Sequence, residues 1–240
     1  MSGVVFLETV RRHVTNVAYL IALLIFAIFA CLAGGMGAAS GMWTAVVNLA
    51  GVVLACQLIG PEFSSGTLQL VLAKPVNRSS YLVARYCGVL VAIAILFVVP
   101  MLFDVAARVL VHEEHFSTTM LAAPLNAAAT FIVAAALFAL FGSMTRSYLN
   151  VAIYFIIETV LYAAEPVLRT IENGKFAISP FFKAHPGIRA GVMKVTQNVF
   201  PQVSASFEWR WMVMVISNGA IALLLACLIF RGREVPYGAD

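Results

Sequence analysis

Apolar residues run along this chain in six long stretches, at 17–37, 43–60, 81–103, 121–141, 148–164 and 211–230, and most of the charge lies between them. Each stretch comes close to the about 20 residues that a helix needs to cross the hydrocarbon core of a membrane. None alternates with period two, which sets aside the strands of an outer-membrane barrel. The pattern predicts an all-α, polytopic integral membrane protein: one transmembrane domain over 1–240 with six transmembrane helices. The fifth stretch is the shortest and carries Glu158.

Residues 5–16 precede the first span and have the pattern of an amphipathic helix. Phe6, Val10, Val14 and Val17 recur at intervals of four or three, while Glu8, Arg11 and Arg12 lie elsewhere around it. That is the pattern of a helix lying in the interface with its basic side towards anionic headgroups. The first apolar run is longer than the about 7–15 residues of a signal-peptide core, and a second follows at once, so it is expected to stay as a span. Near the other end, 165–210 is long for a loop. Past the punctuation of Pro186 and Gly187, the positions Ile188, Val192, Val195 and Val199 keep helical spacing with Arg189 and Lys194 between them. This predicts an amphipathic or re-entrant helix at the outer leaflet, closed by Pro201. Trp209 and Trp211 mark the interface at which the sixth span begins.

Composition agrees with the pattern. The 240 residues are 62% hydrophobic and 11% charged, with a mean hydropathy of +0.96. A soluble domain has about 45–50% apolar and about 25% charged residues. Cys31, Cys56, Cys87 and Cys227 fall in or beside spans and form no CxxC pair, so neither a zinc site nor a disulfide framework is signalled. Basic residues nearly balance when summed over the two sides. However, the short passage 104–120 holds Asp104, Glu113 and Glu114 against Arg108, whereas every connection on the opposite side carries Arg or Lys. The positive-inside rule therefore places both termini in the cytoplasm, with the protein multi-pass in the cell (inner) membrane.

Candidate chemistry is sparse. All four histidines (His13, His112, His115 and His185) lie outside the spans, and Glu158 is the one carboxylate well inside one. The HEEH at 112–115 lacks the HExxH spacing of zinc proteases and reads as a polar cap. Asp104 and Arg108, four apart, are placed to pair at a helix end. No catalytic set assembles and no metal site is expected. There is no GxxxxGK[ST] phosphate loop either, so this chain is not expected to be an enzyme or to hydrolyse nucleotide. An ionisable group inside a membrane is costly, which makes Glu158 a candidate functional residue and keeps open an ion-coupled carrier or channel. An intramembrane enzyme is the more distant alternative. Spans two and five carry Asn48, Gln57, Tyr154 and Glu158, the candidate lining of a translocation path. The lipid bilayer is an expected partner and nucleic acid is not.

The most mixed passage, GPEFSSGTLQLVLAKPVNRSSYLVARY from 60 to 86, falls on the cytoplasmic side of this topology. Pro61 suits the first turn of a helix, and Glu62 beside it suits its positive end. TLQLVLAK is too short to cross a membrane, and Pro75 ends it. Its Leu68, Val71 and Leu72 are candidate anchors on a protein surface, with Lys74 and Arg78 at the rim. Asn77 or Ser79 is placed to cap the third span, and Arg85 is expected to meet lipid phosphates.

These residues carry a family resemblance. Glu62-Phe-Ser-Ser-Gly66-Thr67-Leu68, followed by Pro75-Val-Asn-Arg78 and Arg85, resembles the E-x-x-x-G-T-L…P-x-x-R…(K/R) signature of ABC export permeases of the type-2 class. The interfacial helix, the six spans and the long segment between the last two match that class as well. The resemblance implies that 61–78 is a cytoplasmic coupling loop. In it Glu62, Gly66, Thr67, Leu68, Pro75 and Arg78 help dock a separate ATP-binding subunit. It also implies a second permease copy, as a homodimer or heterodimer. ATP and Mg would then be bound in the partner ATPase, with no cofactor in this chain.

Overall fold

The structure, a computed structural model, describes residues 2–37, 51, 53–55, 58, 77–112, 118–145, 149–170, 185–187, 190–191 and 209–232. Among them the regular elements are all helical: α1 (Ser2–Val14), α2 (Val17–Gly35), α3 (Arg78–His112), α4 (Thr118–Met144), α5 (Leu149–Thr170) and α6 (Trp209–Gly232). Three of these, α2, α3 and α6, are long and apolar enough to cross a membrane, and Ala128–Met144 of α4 is a shorter apolar helix. Their outer faces suit lipid. Leu24, Ile28 and Phe29 of α2 and Ile221, Leu224 and Leu228 of α6 are all more than half exposed, a density of bare apolar surface that water would not tolerate.

The break between α1 and α2 is a cap. Asn16 Oδ1 accepts from the Ala18 N–H at 2.9 Å, serving one of the donors that a helix start leaves orphaned. α2 ends on Gly35, and Gly37 follows with φ 65°, a conformation that favours glycine. Asn77 starts α3 in the same way, its Oδ1 accepting from the Ser79 N–H at 3.1 Å, so of the two caps expected from sequence the asparagine serves.

The third predicted span, 81–103, proves shorter than its helix, which begins at Arg78 and continues to His112. At about 1.5 Å per residue α3 is about 52 Å long, well beyond the about 30 Å of hydrocarbon. Two buried charges divide it. Arg85 is 5% exposed and Asp104 0%, with no charged residue between them. They stand about 28 Å apart along the axis, which matches the hydrocarbon thickness. The helix runs on through Asp104, which pairs with Arg108 one turn later: Nε lies 3.2 Å from Oδ1. The pairing expected from sequence is present, although it lies within a helix and not at its end. The stretch 104–112, expected as part of an outer loop, is helical.

α3 is the hub, packing against α1, α2, α4 and α6; α4 packs in turn on α5 and α6. α2 and α3 run parallel. The Tyr19 hydroxyl donates to the Ala92 carbonyl at 2.7 Å near the start of the pair, and a Cβ on Gly34 would meet Asp104 near its end. Between α2 and α3 in the chain, Ala55 and Leu58 are fully buried in the same core as Leu96 and Phe138.

Candidate functional site

The geometry bearing most directly on function lies where α1 meets the start of α3. α1 crosses α3 over Gly88. A Cβ there would stand 2.7 Å from Thr9 Cβ and 3.2 Å from the Phe6 carbonyl, so only glycine lets the backbones approach. Arg85, three residues earlier on the same face of α3, sends Nη1 to within 3.3 Å of Thr9 Oγ1. That hydroxyl donates to the Val5 carbonyl at 2.7 Å. His13, one turn after Thr9, is 5% exposed, with Nδ1 2.8 Å from the Thr9 carbonyl. Burial, above all, holds this imidazole below its ordinary pKa of 6.5; the bond to Thr9 opposes that shift, and the positive charges of Arg85 and Arg12 add to it.

One expectation is corrected here. Arg85 does not reach for lipid phosphate, because it is buried against α1. The stripe of Phe6, Val10 and Val14 is only partly buried, and the most deeply buried side chains of α1 are the polar Thr9 and His13. A guanidinium drawn from water needs hydrogen-bonding company, and α1 supplies it where an apolar stripe would have none. The signal was present in the sequence as a charge inside a predicted span followed by a glycine three residues on.

An open groove of about 450 Å³ runs alongside, lined by Gly3 and Phe6 of α1 and by Ser79, Ser80, Val83 and Cys87 of α3. Of the predicted docking residues, Arg78 opens α3 beside this groove. Glu62, Gly66, Thr67, Leu68, Leu72 and Pro75 lie outside the described residues, as do Asn48, Gln57 and the segments 113–117 and 192–208. Tyr154 of α5 is 5% exposed and stacks on Phe138 of α4, with ring centroids 4.4 Å apart and planes at 26°. Glu158 follows one turn later on α5, its side chain outside the described residues. Among the described residues no three His, Cys, Asp or Glu side chains gather as a metal site would require.

At the other end of α3 the Asp104–Arg108 pair is sealed by α2. A Cβ at Gly34 would lie 2.6 Å from the Asp104 carbonyl oxygen and 2.9 Å from Oδ1. Among the described residues the site is thus a helical framework with a buried charge towards each end of the apolar run of α3, Arg85 on the Thr9 hydroxyl and Asp104 on Arg108, and no cluster of metal-ligating side chains.

Comparison with known proteins agrees with that character. No curated protein matches the sequence. A family model described as ABC-2 family transporter protein matches residues 9–181, from within α1 to beyond the end of α5. That match covers well over half of the chain, and with it the helical membrane architecture is accounted for: this protein belongs to the ABC-2 family of membrane transporter proteins, as a membrane component of transport and not an enzyme.

Proposed function

We propose that the chain is the permease subunit of an ATP-driven exporter, coupled to a separate ATP-binding subunit and paired with a second permease copy. The observation that carries this reading is the family match over 9–181, which contains the E-x-x-x-G-T-L…P-x-x-R passage and ends it on the first residue of α3. A coupling element must be fixed to the end of a span in order to move it, and Arg78 begins the hub helix of the bundle. On this reading six spans cross the membrane, namely 43–60 together with α2 to α6, and both termini face the cytoplasm. α1 lies at the inner interface, with Arg11 and Arg12 exposed to anionic headgroups. Closure of two ATPase subunits pushes the 61–78 loops, and α3 carries the displacement into α2, α4 and α6. Asn48, Gln57, Tyr154 and Glu158 are the residues proposed for the path between copies.

The experiment is affinity purification of the tagged chain from native membranes in mild detergent. A Walker-motif ATPase should co-purify in stoichiometric amount, and Glu62→Ala with Gly66→Leu should lose it while the permease still purifies as a folded protein. Survival of both ATPase association and transport in the double variant would overturn the docking assignment.

A further inference from the structure

The first half of α3 leaves a narrow line of residues bare. After Ser80, its exposed residues as far as Phe97 are Val83, Cys87, Val91 and Ala94. Their spacing of four, four and three puts them on one stripe of the helix. The residues between them are buried or half-buried, since α1, α2, α4 and α6 pack around α3. A row one residue wide gives no ridge-and-groove face to a further helix, which buries a stripe at least about 100° across. A methylene chain needs only a line.

The stripe begins in the open groove of about 450 Å³, where Gly3 and Phe6 of α1 face Ser79, Ser80, Val83 and Cys87. The polarity of this surface changes with depth. Measured from the buried Arg85 as the edge of the hydrocarbon, Ser79 and Ser80 lie about 8 Å to the aqueous side, at about 1.5 Å per residue. A headgroup layer is about 5–8 Å deep on each face of a bilayer, so both hydroxyls stand at headgroup depth. From Val83 to Ala94 the stripe then covers about 16 Å, one leaflet's share of the about 30 Å of hydrocarbon.

We propose that groove and stripe together hold one phospholipid: its phosphate and ester oxygens accept from the Ser79 and Ser80 hydroxyls, and one acyl chain lies along Val83, Cys87, Val91 and Ala94. The space that it enters is left open by Gly3, where a Cβ would meet nothing within 4 Å. Held by polar and apolar contacts at once, this lipid stays longer than one lying against Leu224 and Leu228 of α6, where contact is apolar alone. The site requires only that the bundle is embedded in a bilayer. It depends neither on which side the termini face nor on a partner subunit.

Photo-cross-linking of the full-length protein in nanodiscs tests this, with a phosphatidylethanolamine that carries a diazirine midway along one acyl chain. Mapped by peptide mass spectrometry, adducts should fall on 83–94 of α3 about five times as often as on 224–228 of α6, the gain expected of one hydrogen bond. Ser79→Ala combined with Ser80→Ala should bring α3 down to the level of α6. Gly3→Phe, whose ring fills the groove, should do the same. Labelling of α6 stays constant in both variants and reports that each is folded in the bilayer. Equal labelling of α3 and α6 in the wild type, a preference that survives in either variant, or a short bismaleimide joining the Cys87 thiols of two copies overturns the bound lipid.

Discussion

Gly34 and Gly35 are chemically identical neighbours at the end of α2, and the structure gives them opposite tolerances. A methyl at Gly34 would be driven into the Asp104 backbone and carboxylate, neither of which can withdraw without disturbing the pair with Arg108. The nearest atom to a methyl at Gly35 is Val111 Cγ2 at 4.0 Å, an ordinary contact. Gly34→Ala should therefore cost about 1–3 kcal/mol of overpacking. Gly35→Ala should be neutral or gain up to about 1 kcal/mol from helix propensity. Thermal unfolding of the two variants in the same detergent separates them; equal midpoints would refute the close approach at Asp104. Nothing in the sequence distinguishes these two glycines, because the difference lies entirely in what α3 brings opposite them.

Between elements, tyrosines tie α3 to its neighbours. Tyr19 of α2 bonds the Ala92 carbonyl, and Tyr86 of α3 bonds the Ile132 carbonyl of α4 at 2.9 Å, while Phe97 meets Phe131 with centroids 5.4 Å apart. These carbonyls lie in helices whose own ladders already use them, so the tyrosine bond is an addition and not a rescue. Tyr19→Phe and Tyr86→Phe should each cost about 0.6–1.5 kcal/mol, the usual worth of a hydrogen bond between membrane helices. Chemical denaturation of the reconstituted protein measures it, and a loss above that range would mean the hydroxyls serve more than these bonds. Pro100 makes the complementary point. It removes one N–H from the ladder of α3, yet α3 continues unbroken to His112, since a packed membrane helix finds other partners for a freed carbonyl.

At the scale of the molecule, the parallel run of α2 and α3 fixes which residues share a side. Glu8 and Arg78 belong with the start of both helices, Gly37 and His112 with their ends. In a variant lacking the native cysteines, Cys introduced for His112 should react with an impermeant maleimide in intact cells. Cys introduced for Glu8 should react only after permeabilisation. Reversed labelling would invert the proposed orientation, and labelling of both from one side would refute the parallel pair.

What the sequence determined by itself is the class of the molecule: helical, membrane-embedded, with an amphipathic N-terminal helix and a signature passage that names its family. Those properties are local. Twenty apolar residues are a span whatever surrounds them, and a capping asparagine acts on the next turn. The tertiary structure decided which face of each helix is used. Arg85 reads as a headgroup contact until α1 is laid across Gly88 and surrounds it with Thr9 and His13. Asp104 reads as the end of a span until Gly34 and Arg108 enclose it. A charge near a membrane boundary can be satisfied by water, by lipid or by protein. That choice belongs to the neighbouring helix, which the sequence around the charge does not contain.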